Sequence, residues 1–129
     1  MSYSFNKTIK GKNFEESIVY VTEVLRAEGF GIISEIDIQK AFKEKINVDF
    51  RKYRILGACN PHFAYKSLSI EDKIGVFLPC NVVVQELANG DIEVMAVDPI
   101  AMMSTVENEA LAKLAFEMQS KLKNVIDKL

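Results

Sequence analysis

The chain reads as an α+β protein with a partly antiparallel sheet and helices packed on one of its faces. Three observations point there. Asn89-Gly90 between two apolar runs is a hairpin signal, and a tight hairpin joins antiparallel neighbours. Several short stretches alternate apolar and polar residues, the period of a half-buried strand. Between them lie stretches with apolar residues three and four apart, the period of a helix with one buried face. The predicted order is β-α-β-α-β-α-β-β-α in a single domain, 1–129. One core suffices at that length, since single domains commonly run to about 100–150 residues.

Tyr3 to Ile9 is the opening strand, with Tyr3, Phe5 and Ile9 alternating with polar neighbours until Gly11 breaks it. Asn13 caps the first helix, and Glu16 three residues on completes a capping box. Phe14, Ile18, Val21 and Leu25 share its buried face, and Gly29 stands where a left-handed stop is expected. Phe30 to Ile36 is the second strand, with Phe30, Ile32 and Ile36 on one face. Asp37 caps a second helix that buries Ile38, Ala41, Phe42 and Ile46 and turns Lys40, Lys43, Glu44 and Lys45 to solvent.

Tyr53 to Cys59 is the third strand. Asn60-Pro61 starts a helix running to about Ser69, since Asn satisfies free amides and Pro suits the first helical position. Val76-Phe77-Leu78 and Cys80 to Leu87 form a long apolar run. Pro79, with no amide hydrogen to donate, marks an edge or bulge within it. Asn89-Gly90 makes a type I′ turn into the strand Ile92 to Val97, which Asp98-Pro99 stops. Asn108 caps the longest helix, with Leu111, Leu114, Ala115, Met118, Leu122, Val125 and Leu129 on one face.

Composition excludes several classes of function. The 49% hydrophobic and 26% charged residues argue against disorder. A formal charge of −2 argues against nucleic-acid and anionic-membrane partners, which need clustered positive charge. No secretory signal is visible, and no window approaches the roughly 20 apolar residues of a membrane span. A soluble, cytoplasmic protein with reduced cysteines is the expectation. One His and two Cys standing 21 positions apart exclude most multi-His zinc sites and a disulfide-stapled scaffold. No Gly-rich phosphate loop, Ser/His/Asp set or metalloprotease pair occurs. No catalytic residue, cofactor or metal is therefore assigned.

Particular segments add a resemblance. These are Val48-Asp49-Phe50-Arg51, Tyr53 through Pro61 with its Gly57-Ala58-Cys59-Asn60-Pro61, and Ile74 through Val84 with its Leu78-Pro79-Cys80-Asn81. Gly29-Phe30-Gly31, Glu35-Ile36-Asp37 and Asp98-Pro99 followed by Met102-Met103 also fit. Together they resemble the domain of unknown function 302 family along essentially the whole chain. The resemblance implies an α+β fold likened to the TATA-box-binding-protein class, a bacterial or archaeal source, and a homodimer. It carries no agreed biochemical activity and no established catalytic residues. Some members are encoded near sulfur-transfer proteins. The fold analogy says nothing about DNA, because one fold hosts unrelated functions.

The candidate ligand or thiol site is Cys59, Asn60, Pro61, His62, Cys80, Asn81 and Arg54. Cys59 ends a strand just before a helix N-terminus, whose free amides and dipole favour an anion or thiolate. His62, three residues on, would lower the thiol pKa further if protonated. The plainer reading of Cys59 is a small core hydrophobe sharing a strand face with Tyr53, Ile55 and Gly57. Cys80-Asn81 repeats the Cys-Asn pair after Pro79, where both Asn residues also suit local backbone bonding. Met102 and Met103 would suit a soft ion such as Cu(I) beside thiolates, yet the spacing matches no metal motif, and Met commonly fills core gaps. Arg54, beside Arg51 and Lys52, suits either a bound carboxylate or phosphate or a partly exposed salt bridge.

Three functions compete on this sequence. The leading one is a non-enzymatic, dimeric domain that binds a small molecule beside the Cys59 and Cys80 loops. The second is a thiol-based sulfur carrier or redox protein using Cys59. The third is an assembly module without chemistry, its interface formed by Val82-Val83-Val84 and the terminal helix.

Overall fold

The computed structural model describes residues 2–129. The elements are β1 (Ser4–Ile9), α1 (Phe14–Ala27), β2 (Gly31–Asp37), α2 (Ile38–Ile46), β3 (Tyr53–Cys59) and α3 (Pro61–Ile70). They continue with a 3-10 stretch (Asp72–Phe77), β4 (Cys80–Glu86), β5 (Ile92–Val97), α4 (Pro99–Met102) and α5 (Glu109–Lys128). The predicted order holds, with α4 and the 3-10 stretch as additions. One five-stranded sheet in the order β1-β5-β4-β3-β2 carries the fold, and every neighbouring pair is antiparallel.

Local chemistry sets the helix ends. The Asn13 side chain accepts from the Glu16 amide at 2.8 Å while Glu16 accepts from the Asn13 amide at 3.2 Å, so the capping box is complete. Gly29 adopts φ +90° and turns the chain out of α1 into β2. Asn60 and Asn108 accept from the amides of Phe63 and Leu111, starting α3 and α5.

The core lies between one sheet face and the helices α1 and α5. Leu56 and Ala58 of β3, Val82 and Val84 of β4, and Ile92, Val94 and Ala96 of β5 are buried on that face. Val21 and Leu25 of α1 and Leu122 and Val125 of α5 close over them. Each such large side chain contributes about 1.5–3 kcal/mol by leaving water. Val82, Val84 and the apolar stripe of α5 are thus consumed within the chain, leaving only Val83 of that triplet on the second face.

Several local expectations are corrected. β2 carries a register shift between Ile32 and Ser34, so Ile36 leaves the face of Phe30 and Ile32 and stands 49% exposed. One extra residue inverts every side chain beyond it. None of the residues of α2 is buried, and Ile46 is exposed; Phe42 instead packs edge-on against Phe50 at 5.1 Å, and Phe50 against Tyr53 at 6.1 Å. Val76 and Phe77 lie in the 3-10 stretch rather than a strand, and Pro79, joined to Leu78 by a cis peptide, precedes β4. Since β4 is central, Pro79 guards no edge; its missing donor falls outside the ladder. The hairpin is not type I′, because only Gly90 has positive φ. The Gly90 amide donates to Leu87 at 2.9 Å and that of Leu87 to Asp91 at 2.8 Å, giving a three-residue loop with glycine in the left-handed position.

Gly57 is the most closely approached glycine among the described residues. A Cβ there would collide with the Ser34 hydroxyl of the β2 bulge and come within 2.7 Å of the Pro79 ring. We expect Gly57→Ala to destabilise the fold by about 1–3 kcal/mol, since overpacking forces neighbouring backbone apart. Urea denaturation measures it; an unchanged midpoint would show that the close approach relaxes freely.

Candidate functional site

Antiparallel register gathers both Cys-Asn pairs at one end of the sheet. Ala58 lies opposite Cys80, Gly57 opposite Asn81, and Gly31 opposite Cys59. β3 then passes through the Asn60 cap directly into α3, so this helix leans over the end of the strands where β4 begins.

Between them is a cavity of about 260 Å3. Ala58, Cys59 and Cys80 line it from the sheet, and Asn60, Phe63, Ala64, Ser67 and Leu68 from the cap and α3. Met103, after α4, and Met118 of α5 form its far wall, while Ile33, Leu78 and Pro79 complete the rim. The β2 bulge carries Ile33 to that rim, so the irregularity beside Gly57 also shapes the opening. No charged side chain lines the cavity.

The sequence-derived residues divide sharply. Cys59, Asn60 and Cys80 come together in the cavity wall. Pro61 and His62 are exposed on the first turn of α3, outside the lining. Asn81 is exposed and borders a separate recess with Val97 and Met102. Arg54 is five residues back along β3, about 17 Å from Cys59 at the usual strand rise. Its guanidinium bonds Glu35 at 3.0 Å, Glu15 at 3.1 Å and Asp37 at 3.4 Å, and lies 5.3 Å from the centre of the Phe14 ring. Burial alone would pull Arg54 down, but Glu15, then Glu35 and Asp37, hold it above its ordinary value. This is the salt-bridge arrangement: both terminal nitrogens are engaged, while the buried Nε has no hydrogen-bond partner.

An anion has little to hold it here. The Phe63 amide already donates to Asn60 Oδ1 at 3.3 Å, and the Ala64 amide to the Asn60 carbonyl at 2.9 Å. No basic side chain faces the cavity. For metals, no group of three or more His, Cys, Asp or Glu is suitably clustered among the described residues. Four sulfur side chains, Cys59, Cys80, Met103 and Met118, nevertheless border this one space. Residue type and context mark the first three in the sequence without showing that they meet. From sequence Met118 reads as core, and Phe63, Ala64 and Leu68 carry no chemical motif. Their signal was the spacing of positions 60, 63, 64, 67 and 68, one face of α3.

The two thiols differ in setting: Cys59 is half-buried and Cys80 is 2% exposed. Burial, reinforced by proximity to Cys59, pushes Cys80 up to about 11 from 9.0. The native state therefore keeps a proton that the unfolded chain loses first as pH rises. Below the unfolded value this costs nothing. Between 9.0 and about 11 stability falls, by an amount on the order of 2–3 kcal/mol. Urea unfolding of the wild type and Cys80→Ala across that range should show a steeper alkaline loss in the wild type. Parallel curves would refute the assignment.

Comparison with known proteins places the chain. The family model described as domain of unknown function DUF302 matches residues 5–129. The crystal structure of an uncharacterized conserved DUF302 protein from Bacillus stearothermophilus is similar, with a TM-score of 0.90 and 26% sequence identity. The likeness covers 99% of this chain and 98% of that one. No curated protein matches the chain.

Proposed function

The chain belongs to the domain of unknown function 302 family, and we propose that it is a non-enzymatic domain that binds a small, neutral, apolar molecule between α3 and the sheet. The carrying observation is the 260 Å3 cavity whose lining includes no charged group. For scale, a dry apolar cavity of about 150 Å3 accepts benzene. An ionised ligand would lose its hydration there without a counter-charge, at a cost of several kcal/mol. An uncharged hydrocarbon or aromatic loses little and gains dispersion contacts, including those of the polarizable Met sulfurs. Asn60, Ser67 and the two thiols supply the few polar groups that orient such a ligand.

Aminoanthracene is a suitable neutral probe. Its fluorescence should rise on binding, and it should raise the melting temperature, by an amount equivalent to about 2.7 kcal/mol at a hundredfold excess over Kd. Ala64→Trp, which fills the cavity from α3, should abolish both effects, while Cys59→Ala and Cys80→Ala should alter affinity. Anthracene sulfonate should bind at least tenfold more weakly. Equal binding of the sulfonate, or wild-type binding by the Ala64→Trp variant, would sink the reading.

The second face of the sheet supports a partner reading, a second copy of this chain. Cross-strand register aligns Ile36, Ile55, Val83 and Met95 in one apolar row, with Ile36 49% exposed. Five strands about 4.8 Å apart and roughly 21 Å long make a face of about 500 Å2 in projection, somewhat below the roughly 800 Å2 each subunit gives a standard interface. Sedimentation equilibrium should give a dimer that Val83→Lys converts to a monomer. A monomeric wild type, or a dimer indifferent to Val83→Lys, would remove this face from consideration.

A further inference from the structure

A second apolar cavity, of about 320 Å3, shares Met103 with the first and is otherwise bordered by Ile100, Ser104, Val106, Leu111, Ala112, Ala115 and Phe116. It too contains no charged side chain. Met103 borders both cavities. On α5, Ala115 faces the second and Met118 the first, one helical turn apart. The distal end opens beside Phe116, 62% exposed, and Ile100, 37% exposed. The proximal end opens beside Ile33, 64% exposed, and Leu68, 43% exposed.

From this arrangement we infer that the two cavities form one channel for a linear hydrocarbon chain, with Met103 as its movable partition. The inference rests on the binding reading above and names the ligand class. Along α5 the lining from Ala112 to Met118 runs about 9 Å, to which each cavity adds its own depth. A compact ring fills only one compartment; an alkyl chain threads both. Met103 suits the partition because its side chain is unbranched and has three rotatable bonds, so it can swing aside without moving backbone. Its backbone is meanwhile fixed, its amide donating to the Pro99 carbonyl at 3.0 Å where α4 ends. The wall between the compartments is therefore a side chain on a held backbone, which makes it separable by mutation.

Linear primary alcohols from hexanol to tetradecanol, competed against aminoanthracene, test the channel. In the wild type, affinity should keep rising by about fourfold per added methylene through the longest member. Met103→Trp, whose own effect on the first cavity is set by its affinities for hexanol and aminoanthracene, should stop gaining affinity at a shorter chain than the wild type. Met102→Trp, at a neighbouring residue that borders neither cavity, should follow the wild-type series. If wild type and Met103→Trp stop gaining at the same chain length, the channel is overturned while the single-cavity reading stands. If neither aminoanthracene nor any alcohol binds the wild type, both fall together. Should Met103→Trp fail to fold, Met103→Ala decides: the longest alcohols must bind at least as tightly as to the wild type. A uniform loss across the series overturns the channel.

Discussion

The close approach of three strands at Gly57 organises the end of the molecule where the cavity lies. A side chain at this position would drive the Ser34 hydroxyl and the Pro79 ring away from β3. Without one, the β2 bulge and the segment entering β4 both settle against the middle strand. Two consequences follow from the same contact. The bulge swings Ile33 to the cavity rim, and the seating of Pro79 brings Cys80 opposite Ala58. Cys59 and Asn60 continue from that strand into the α3 cap. The cavity wall is thus assembled from chain segments far apart in sequence because one residue has no side chain.

The same sheet separates charge from apolar surface along β3. Arg54 binds three carboxylates near one end, whereas the cavity at the other has no charged lining residue. The guanidinium sits on the core side of the strand and is only 17% exposed, so its partners are needed to offset lost hydration. Those carboxylates come from α1 and from the part of β2 beyond the bulge. The register shift that exposes Ile36 therefore also turns Glu35 and Asp37 toward Arg54. One inserted residue determines which side chains meet the charge and which meet water.

Much of the fold was legible because its signals are local. The Asn13 and Glu16 capping box, the glycine after α1, the Asn60-Pro61 helix start and the periodic stripe of α5 each follow from residues within a few positions. The failures share a different cause. A bulge has no sequence signature when apolar Ile32 and Ile33 flank the slip, so Ile36 reads as core. Val76 and Phe77 have strand-forming character, yet the turn from α3 into Pro79 holds them in a 3-10 stretch. Asn89 tolerates positive φ, but the hairpin loop is one residue longer than the pair suggests. The candidate site was half legible for the same reason. Cys59, Asn60 and Cys80 stood out by type and context, whereas Met118 and Phe63 acquire their role only when α5 and α3 close over the sheet.

The binding proposal rests on the energetic make-up of the cavity. Rate acceleration requires groups that stabilise charge developing in a transition state more strongly than the charge of the ground state. Here the helix-start amides of Phe63 and Ala64 already donate to Asn60, and the guanidinium of Arg54 is held by carboxylates at the far end of β3. Cys80 is held neutral by the burial that makes it part of the wall. What remains facing the space is hydrocarbon, thioether, an amide, a hydroxyl and two thiols, a set that stabilises neutral matter by contact and discriminates against charge. Such a lining opposes any charged state of a bound molecule. If the proposed ligand binds there, its selection rests on size, shape and neutrality.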